Sequence, residues 1–146
     1  MPCREEETSV FWIETDQELA DAVASWENCV GLDTEFIRTD TFYPIPGLYQ
    51  VASADQVFLI DPLTIEDWQP FSTFLMDPKT LIVMHACQED LEMLNHHLKV
   101  QPTSVVDTQF AHAFTGVDYS LSYANLVRRT IGVELHKQET RSNWLQ

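Results

Sequence analysis

Two kinds of apolar pattern alternate along this chain. Short continuous apolar runs, such as 81–84, predict buried strands, and apolar residues that recur every three or four positions predict amphipathic helices. The pattern predicts strands at 9–13, 29–35, 48–53, 56–60, 81–84 and 105–106, and helices near 16–26, at 66–76, around Asp90, through Phe114 and at 120–131. Strands that alternate with helices after an initial meander predict an α/β fold with a mixed sheet flanked by helices.

The expected element boundaries rest on capping and turn residues. Thr15 or Asp16 is expected to cap the first helix, because a short polar side chain can accept hydrogen bonds from the N–H groups of the first turn. Gly132 is expected to end the last helix, since glycine readily adopts the left-handed conformation found there. The segment 39–47, with two prolines, is predicted to be the one long irregular loop.

Two carboxylates, Asp33 and Glu35, follow the apolar run 29–32. Because alternate side chains of a strand point to the same face, both acids are expected to project together from the end of that strand. Two anions side by side repel each other, and oxygen ligands at this spacing suit Mg²⁺ or Mn²⁺. A strand that runs into an exposed acidic turn explains the same pair, and the pair alone favours that alternative.

A third carboxylate, Asp90, falls in the first turn of the helix predicted after the strand 81–84. Acids at a helix N-terminus interact favourably with the helix dipole, which is a sufficient explanation for Glu89. Asp90 is the better ligand candidate, because it can share a crevice with Asp33 and Glu35 if the two strands are neighbours.

Several motifs resemble, in order and spacing, those of bacterial ribonuclease D. The resemblance extends from about Val30 to the last residue. The motifs are 31–36 (Gly-Leu-Asp-Thr-Glu-Phe), Arg38 with 41–44 (Thr-Phe-Tyr-Pro), 47–51 (Gly-Leu-Tyr-Gln-Val), 60–63 (Ile-Asp-Pro-Leu), 85–92 (His-Ala-Cys-Gln-Glu-Asp-Leu-Glu) and 106–109 (Val-Asp-Thr-Gln). The resemblance implies a ribonuclease H-like fold and a 3′-5′ exonuclease of the DEDD type, in which four carboxylates hold two divalent metal ions.

The resemblance also implies roles for the three acids. Asp33 and Glu35 are then the first-motif ligands, and Asp90 the second-motif ligand, of two Mg²⁺ or Mn²⁺ ions. Two metal ions about 3.5–4 Å apart can orient the attacking water, stabilise the phosphate and assist the leaving oxygen. The fourth acid of the tyrosine branch belongs to a Tyr-x-x-x-Asp motif, which does not occur in these 146 residues. We therefore expect residues 1–146 to be a single exonuclease domain, incomplete at its C-terminus, that is weakly active or inactive.

Two other acids, Asp107 and Asp118, could be proposed as the fourth ligand, but each has a structural explanation. Asp107 precedes a predicted helix and fits an N-cap. Asp118 lies among turn-forming residues and fits a turn. Neither is expected to complete the set of four.

Residues near the acids suggest how a single-stranded end is held. Aromatic rings stack on bases with little regard for base identity, and Phe36, Phe42 and Tyr43 follow the acidic pair. Core packing is the better explanation for Phe36 and Phe42 taken singly. By resemblance, the backbone of Thr34 can contact the terminal nucleotide. His85 is expected to contact the substrate or to support the site, and not to act as a general base.

The chain has a net charge of −15, with 8 Lys and Arg against 23 Asp and Glu. Nucleic-acid binders usually have a basic surface, because neutralising phosphates supplies much of their affinity, so this composition argues against a nuclease. Bound metal ions can supply local positive charge. The late basic residues Arg128, Arg129, Lys137 and Arg141 are candidate phosphate contacts, although a solvated helix face explains Arg128 and Arg129 equally well.

The sequence also bears on the compartment. No stretch approaches the roughly 20 apolar residues of a membrane span, and the N-terminus lacks the apolar core of a signal peptide. The three cysteines are scattered without a zinc spacing and are expected to be reduced thiols. We expect a cytoplasmic protein without membrane contact, and we predict no protein partner.

The leading hypothesis is a metal-dependent 3′-5′ exoribonuclease that processes RNA 3′ ends, such as those of tRNA precursors. Two alternatives stay open: a ribonuclease H-like module that binds nucleic acid or protein without hydrolysis, and a DNA 3′-5′ exonuclease. The three acids favour an enzyme, because a domain released from catalysis has no physical reason to keep repelling anions in one crevice.

Overall fold

A computed structural model describes residues 8–38 and 40–135. These residues form the strands β1 (Ser9–Ile13), β2 (Cys29–Ile37), β3 (Ile45–Ser53), β4 (Gln56–Ile60), β5 (Leu81–Met84) and β6 (Val105–Asp107), and the helices α1 (Asp16–Ser25), α2 (Gln69–Met76), α3 (Gln88–Leu98), α4 (Thr108–Ala113) and α5 (Tyr123–Ile131). The strands make one sheet in the order β1-β4-β3-β2-β5-β6. The strands β2, β3 and β4 are antiparallel neighbours, whereas β1, β5 and β6 join in parallel. This mixed sheet with helices confirms the predicted α/β class.

One face of the sheet carries the hydrophobic core. Alternate strand residues are buried there against residues of the first three helices, because a strand sends every second side chain to the same face. The cluster includes Val30, Leu32, Tyr49, Val51, Ile82 and Met84 from the sheet and Leu19, Phe71, Leu75, Met93 and Leu94 from α1, α2 and α3. Residues that alternate with Val30 and Leu32 along β2 therefore lie on the other face.

The strand β3 begins at Ile45, so the prediction of an irregular segment through residue 47 is wrong at its end. Phe36 pairs with Pro46 and Glu35 pairs with Leu48, so a bulge at this point leaves Gly47 as the extra residue. Pro46 lies before the part of β3 that pairs with β4, where its missing N–H breaks no bond to that strand. Turn-forming residues thus concealed the first part of this strand.

Helix starts also differ from the prediction in two places. The helix α2 begins at Gln69 and not at residue 66, because the N–H groups of Glu66 and Asp67 donate to Oδ1 of Asp16 instead. The helix α5 begins at Tyr123 and not at residue 120, since Ser122 is the N-cap. The first difference comes from a side-chain acceptor that holds two N–H groups outside the helix, and the second from an N-cap whose hydroxyl accepts from the N–H of Asn125 in the first turn.

Other boundaries are confirmed. Thr15, and not Asp16, caps α1 through a capping box with Glu18. Gly132 follows α5 with φ of 73°, in the left-handed region expected of a helix-ending glycine. No helix of the described residues is long and apolar enough to cross a membrane.

Candidate active site

Asp33 and Glu35 lie on β2, beyond the last residue of this strand that pairs with its parallel neighbour β5. The strand β5 pairs with β2 only from Cys29 to Gly31. Because Asp33 and Glu35 alternate with buried Leu32, they share the sheet face opposite to the core, as predicted. The bulge after Glu35 bends the strand at this point, and bulges beside functional sites re-aim side chains.

The helix α3 brings Asp90 to the same strand end from the core side. The hydroxyl of Thr34 donates a hydrogen bond to Oδ1 of Asp90. Both residues are buried, and Asp90 exposes only 8% of its surface. Since Thr34 stands between Asp33 and Glu35, the three acids meet at one segment of β2, but Asp90 approaches it from the opposite face.

The three carboxylates are close enough for the charge of one to shift the pKa of another. Burial raises the pKa of Glu35, and the negative charges of Asp33 and Asp90 raise it further. Burial likewise raises the pKa of Asp90; the Thr34 hydrogen bond lowers it in part, and the charge of Asp33 makes a smaller contribution that raises it. Asp33 is exposed by surface area, yet enough protein surrounds its carboxyl group for desolvation to raise its pKa. Each acid therefore ionises less readily than a free carboxyl group, and nearby positive charge would favour its ionised form.

The donor chemistry of the three acids fits a divalent cation. Carboxylates offer hard oxygen ligands, and the ion pairs found in residues 8–38 and 40–135 involve other acids, namely Glu89, Glu92 and Asp118. In the present arrangement, no three His, Cys, Asp or Glu side chains of the described chain form a ready metal cluster. One oxygen of Asp90 is instead engaged by Thr34. The acids are therefore suitable ligands, but in this arrangement their side chains do not surround a common metal position.

The turn that leads into α3 is held by Asp107. Its Oδ1 accepts from the N–H of Ala86 at 2.9 Å, and its Oδ2 accepts from the N–H of Cys87 at 3.0 Å. The same carboxylate accepts from Gln109 and Phe110, which confirms the predicted N-cap of α4. Ala86 has φ of 52°, in the left-handed region that is unfavourable for residues other than glycine. Asp107 therefore stabilises a strained turn and, with it, the start of α3.

His85 follows β5 and has a protein partner at each ring nitrogen. Its Nδ1 lies 2.9 Å from Oγ1 of Thr108, and its Nε2 lies 2.9 Å from the carbonyl oxygen of Leu121. Because a carbonyl can only accept, Nε2 is the donor in that bond. The ring also meets Tyr123 at a centroid distance of 5.5 Å. These contacts tie the end of β5 to the segment before α5 and leave no free nitrogen for a general base.

An open cavity of about 420 Å³ lies beside Asp33, which is the one of the three acids that lines it. Its lining includes Gly31, Asp33, Ala52, His85 and Tyr123. A volume in this range is typical of sites for small ligands. A group of nucleotide size therefore has room next to Asp33.

The aromatic candidates have different environments. Phe36 is half-buried and packs against the core, as the core-packing explanation predicted. Phe42 exposes 81% of its surface, so the core explanation is wrong for this residue. Tyr43 stacks on His96 of α3, a contact that no sequence pattern signalled.

The four late basic residues are not found together as one cluster in the described part of the chain. Arg129 pairs with Asp118, a contact that gives Asp118 a structural role, and Arg128 is exposed. Lys137 and Arg141 lie outside the described residues. A phosphate-contacting surface from these four residues stays a prediction.

Known proteins similar to this chain are nucleases. Ribonuclease D of Pseudomonas paraeruginosa is 44% identical over 139 residues, which cover 94% of this chain and 37% of the relative. The structure of Escherichia coli RNase D, an exoribonuclease involved in structured RNA processing, matches with a TM-score of 0.85 at 40% identity and covers 92% of this chain and 36% of that one. Trypanosoma brucei RNase D in complex with RNA U12 matches with a TM-score of 0.79 at 25% identity, over 88% of this chain and 49% of that one.

These matches confirm the ribonuclease H-like fold. The chain spans about a third of the length of the bacterial relatives reported above. A family profile described as 3′-5′ exonuclease matches residues 10–146, which include all three acids. The chain therefore belongs to this family of 3′-5′ exonucleases, whose DEDD members depend on divalent metal ions.

Proposed function

We propose that this chain hydrolyses RNA from the 3′ end in a metal-dependent reaction, with tRNA precursors and other stable RNAs as its substrates. The observation that carries the proposal is the hydrogen bond from Thr34 to Asp90, because it joins Asp90 to the strand segment that bears Asp33 and Glu35. The ribonuclease D relatives support RNA as the substrate.

Asp33, Glu35 and Asp90 are the residues to which we assign two divalent cations, Mg²⁺ or Mn²⁺. When bound, such cations supply Lewis acidity that activates water and stabilises charge on the phosphate. The chain contributes oxygen ligands of raised pKa, which gain most from a nearby cation. Thr34 limits the rotation of the Asp90 carboxylate, so that one of the three ligands is already oriented.

Four residues near the acids are assigned to substrate binding. The backbone of Thr34 lies past the last residue of β2 that pairs with β5, which leaves that side of the strand available to a terminal nucleotide. Phe36 borders the acids from a half-buried position, and Tyr43 lies in the loop that follows β2. His85 contacts the cavity beside Asp33 and positions the Leu121 segment along it.

A cytoplasmic location is part of the same proposal. Cys29 and Cys87 are free thiols, which is the usual state in a reducing compartment. Burial raises the pKa of Cys87 to about 11, so this thiol stays protonated and unreactive.

The test is degradation of a 5′-labelled single-stranded RNA with Mg²⁺ or Mn²⁺, beside a DNA of the same sequence. We expect slow stepwise shortening of the RNA that Asp33→Ala and Asp90→Ala reduce to background. Calorimetric titration with Mn²⁺ should show weaker binding by both variants. Asp118→Ala, which removes an acid paired with Arg129, is the control and should leave both readouts unchanged. Metal binding and hydrolysis that persist unchanged in Asp33→Ala would refute the proposal, and preferential cleavage of DNA would correct the substrate.

A further inference from the structure

Three aromatic rings form a cluster where the β2–β3 loop lies against α3. Tyr43 is parallel to the imidazole of His96, with ring centroids 3.9 Å apart and an interplanar angle of 5°. Phe42 meets Tyr43 edge to face, with centroids 4.9 Å apart and an angle of 86°. We call Phe42, Tyr43 and His96 the aromatic platform. Its outer ring, Phe42, exposes 81% of its surface.

A second contact fixes the same loop to the same helix. Arg38 places Nη1 3.2 Å from Oε1 of Glu89 and Nη2 3.0 Å from Oε1 of Glu92. Glu89, Glu92 and His96 follow one another at spacings of three and four, so they share one face of α3. The loop is therefore attached to α3 at Arg38 and at Tyr43. The Phe42 ring between these two attachments stays exposed to solvent, although burial of a phenyl ring is favourable.

The aromatic platform combines a residue of α3, the helix that carries Asp90, with two residues of the loop that follows β2, the strand that carries Asp33 and Glu35. Arg38 comes three residues after Glu35 on the chain, and His96 comes six residues after Asp90 on α3. Six helical residues span about 9 Å along the axis. A strand of nucleic acid whose end lies at the acids can therefore extend to the platform.

The negative charge around the aromatic platform favours a nucleobase over a phosphate as the group that binds there. Glu89 and Glu92 share a single arginine beside the platform, and the chain as a whole has a net charge of −15. Phosphate contacts need cations, whereas stacking of a base on an aromatic ring needs none and tolerates any base. We propose that the aromatic platform stacks on a nucleobase of single-stranded RNA upstream of the 3′-terminal nucleotide, with Phe42 as the contacting ring. This inference rests on the proposed function.

The first test is affinity for a fluorescent single-stranded RNA octamer in EDTA, where hydrolysis does not interfere. Phe42→Ala should weaken binding about tenfold, in the range found for loss of one base–aromatic stack. Phe42→Leu keeps apolar area without a ring face and should lose as much, whereas Phe42→Trp should retain affinity. Phe114→Ala is the matched control, because Phe114 exposes 80% of its surface and meets Phe110 edge to face at 5.1 Å. It should bind like the wild type.

The second test locates the stacked base. An abasic residue is moved through the octamer, and at one upstream position it should weaken binding by the wild type to the level of Phe42→Ala. At that position the two proteins should bind equally. The ratio of their affinities for intact RNA should stay constant between about 50 and 200 mM salt, since stacking involves no counterion release.

Three results would overturn the inference: no measurable binding by the wild type, wild-type affinity in Phe42→Ala, or an equal loss in Phe42→Ala with every abasic RNA. Failure of the proposed function is a separate result, because it is read from hydrolysis with Mg²⁺ and not from binding in EDTA.

Discussion

Thr34 and Asp90 are 56 positions apart in the chain, yet the Thr34 hydroxyl donates directly to the Asp90 carboxylate. Both residues are buried, and the bond joins the middle of β2 to the first turn of α3. A hydrogen bond to an ionised acceptor is stronger than one between neutral groups, and an unpaired buried carboxylate is costly. The orientation of Asp90 therefore depends on a hydroxyl that is not among the proposed metal ligands.

Thr34→Val, which removes this hydroxyl at nearly constant shape, should lower the free energy of unfolding by about 1–2 kcal/mol. It should also weaken Mn²⁺ binding by about 10–100-fold, the usual effect of losing a group that orients a ligand. Urea unfolding in EDTA measures the first effect, and calorimetric titration measures the second.

Thr73→Val is the control for that substitution. Thr73 is exposed on α2, and its hydroxyl accepts from Nε2 of Gln69 at 2.9 Å. Its loss should change stability by less than about 0.5 kcal/mol. If Thr34→Val lost stability but kept wild-type affinity for Mn²⁺, the bond would support only the fold.

Removing one charge from the acidic site should stabilise the metal-free protein. Burial and the charges of Asp33 and Asp90 raise the pKa of Glu35, so its ionised form is unfavourable in the folded state. Glu35→Gln should raise the free energy of unfolding in EDTA by about 0.5–1 kcal/mol, after allowance for solvent screening. Saturating Mg²⁺ should stabilise the wild type more than the variant, because ligands stabilise the state that binds them. Urea unfolding with and without Mg²⁺ measures both effects.

The pH dependence of the stability gained in Glu35→Gln follows from the direction of the Glu35 pKa shift. A raised folded-state pKa means that ionisation costs stability, and the cost is absent below the unfolded value of about 4.3. The stability difference between Glu35→Gln and the wild type in EDTA should therefore vanish as the pH falls from 7 to about 4. Glu27→Gln, at an exposed acid, should show no such trend. A gain that is independent of pH would contradict the charge explanation.

The main features of the fold and of the acidic strand were accessible from the sequence because they depend on local periodicity. Side-chain alternation is a property of any strand, so the run 29–35 already placed Asp33 and Glu35 on one face. The position of Asp90 in the first turn of α3 followed from helical spacing in the same way. The start of β3 was missed because Pro46 and Gly47 are typical of loops, and only pairing with β2 shows that they belong to a bulged strand.

Tertiary contacts account for what the sequence did not reveal about the site. The approach of Asp90 to Thr34 from the core side depends on how α3 packs against the sheet, which no local pattern encodes. The second role of Asp107 joins residues 20 and 21 positions away, and only its N-cap signal was local. The stack of Tyr43 on His96 likewise brings a loop onto a distant helix.

Asp107→Ala should destabilise the protein by about 2–3 kcal/mol, because it removes both an N-cap and the acceptor for the strained turn at Ala86. Asp107→Asn keeps one carbonyl oxygen and should cost about half as much. Asp77→Ala is the control, since the side chain of Asp77 accepts from a single N–H, that of Lys79, in an exposed turn. Urea unfolding measures all three. Equal costs for Asp107→Ala and Asp77→Ala would show that the turn before α3 does not depend on Asp107.

Tyr49 and His97 form a partly buried polar contact between β3 and α3. Oη of Tyr49 lies 2.6 Å from Nδ1 of His97, and Tyr49 is completely buried. Burial raises the pKa of Tyr49, which keeps its hydroxyl protonated. Burial and the neighbouring His96 lower the pKa of His97, so its imidazole is neutral and Nδ1 can accept.

Because the folded-state pKa of His97 lies below the unfolded value of about 6.5, its contribution to stability is fully present above that pH and is lost as the pH falls through the folded-state pKa. Tyr49→Phe leaves Nδ1 unpaired and should cost about 1–2 kcal/mol at pH 8, a cost that shrinks toward pH 5 because protonated His97 no longer accepts. Urea unfolding across this range measures it, with exposed Tyr123→Phe as the control. A constant cost at every pH would assign the effect to the contact of the Tyr49 hydroxyl with Met93 instead.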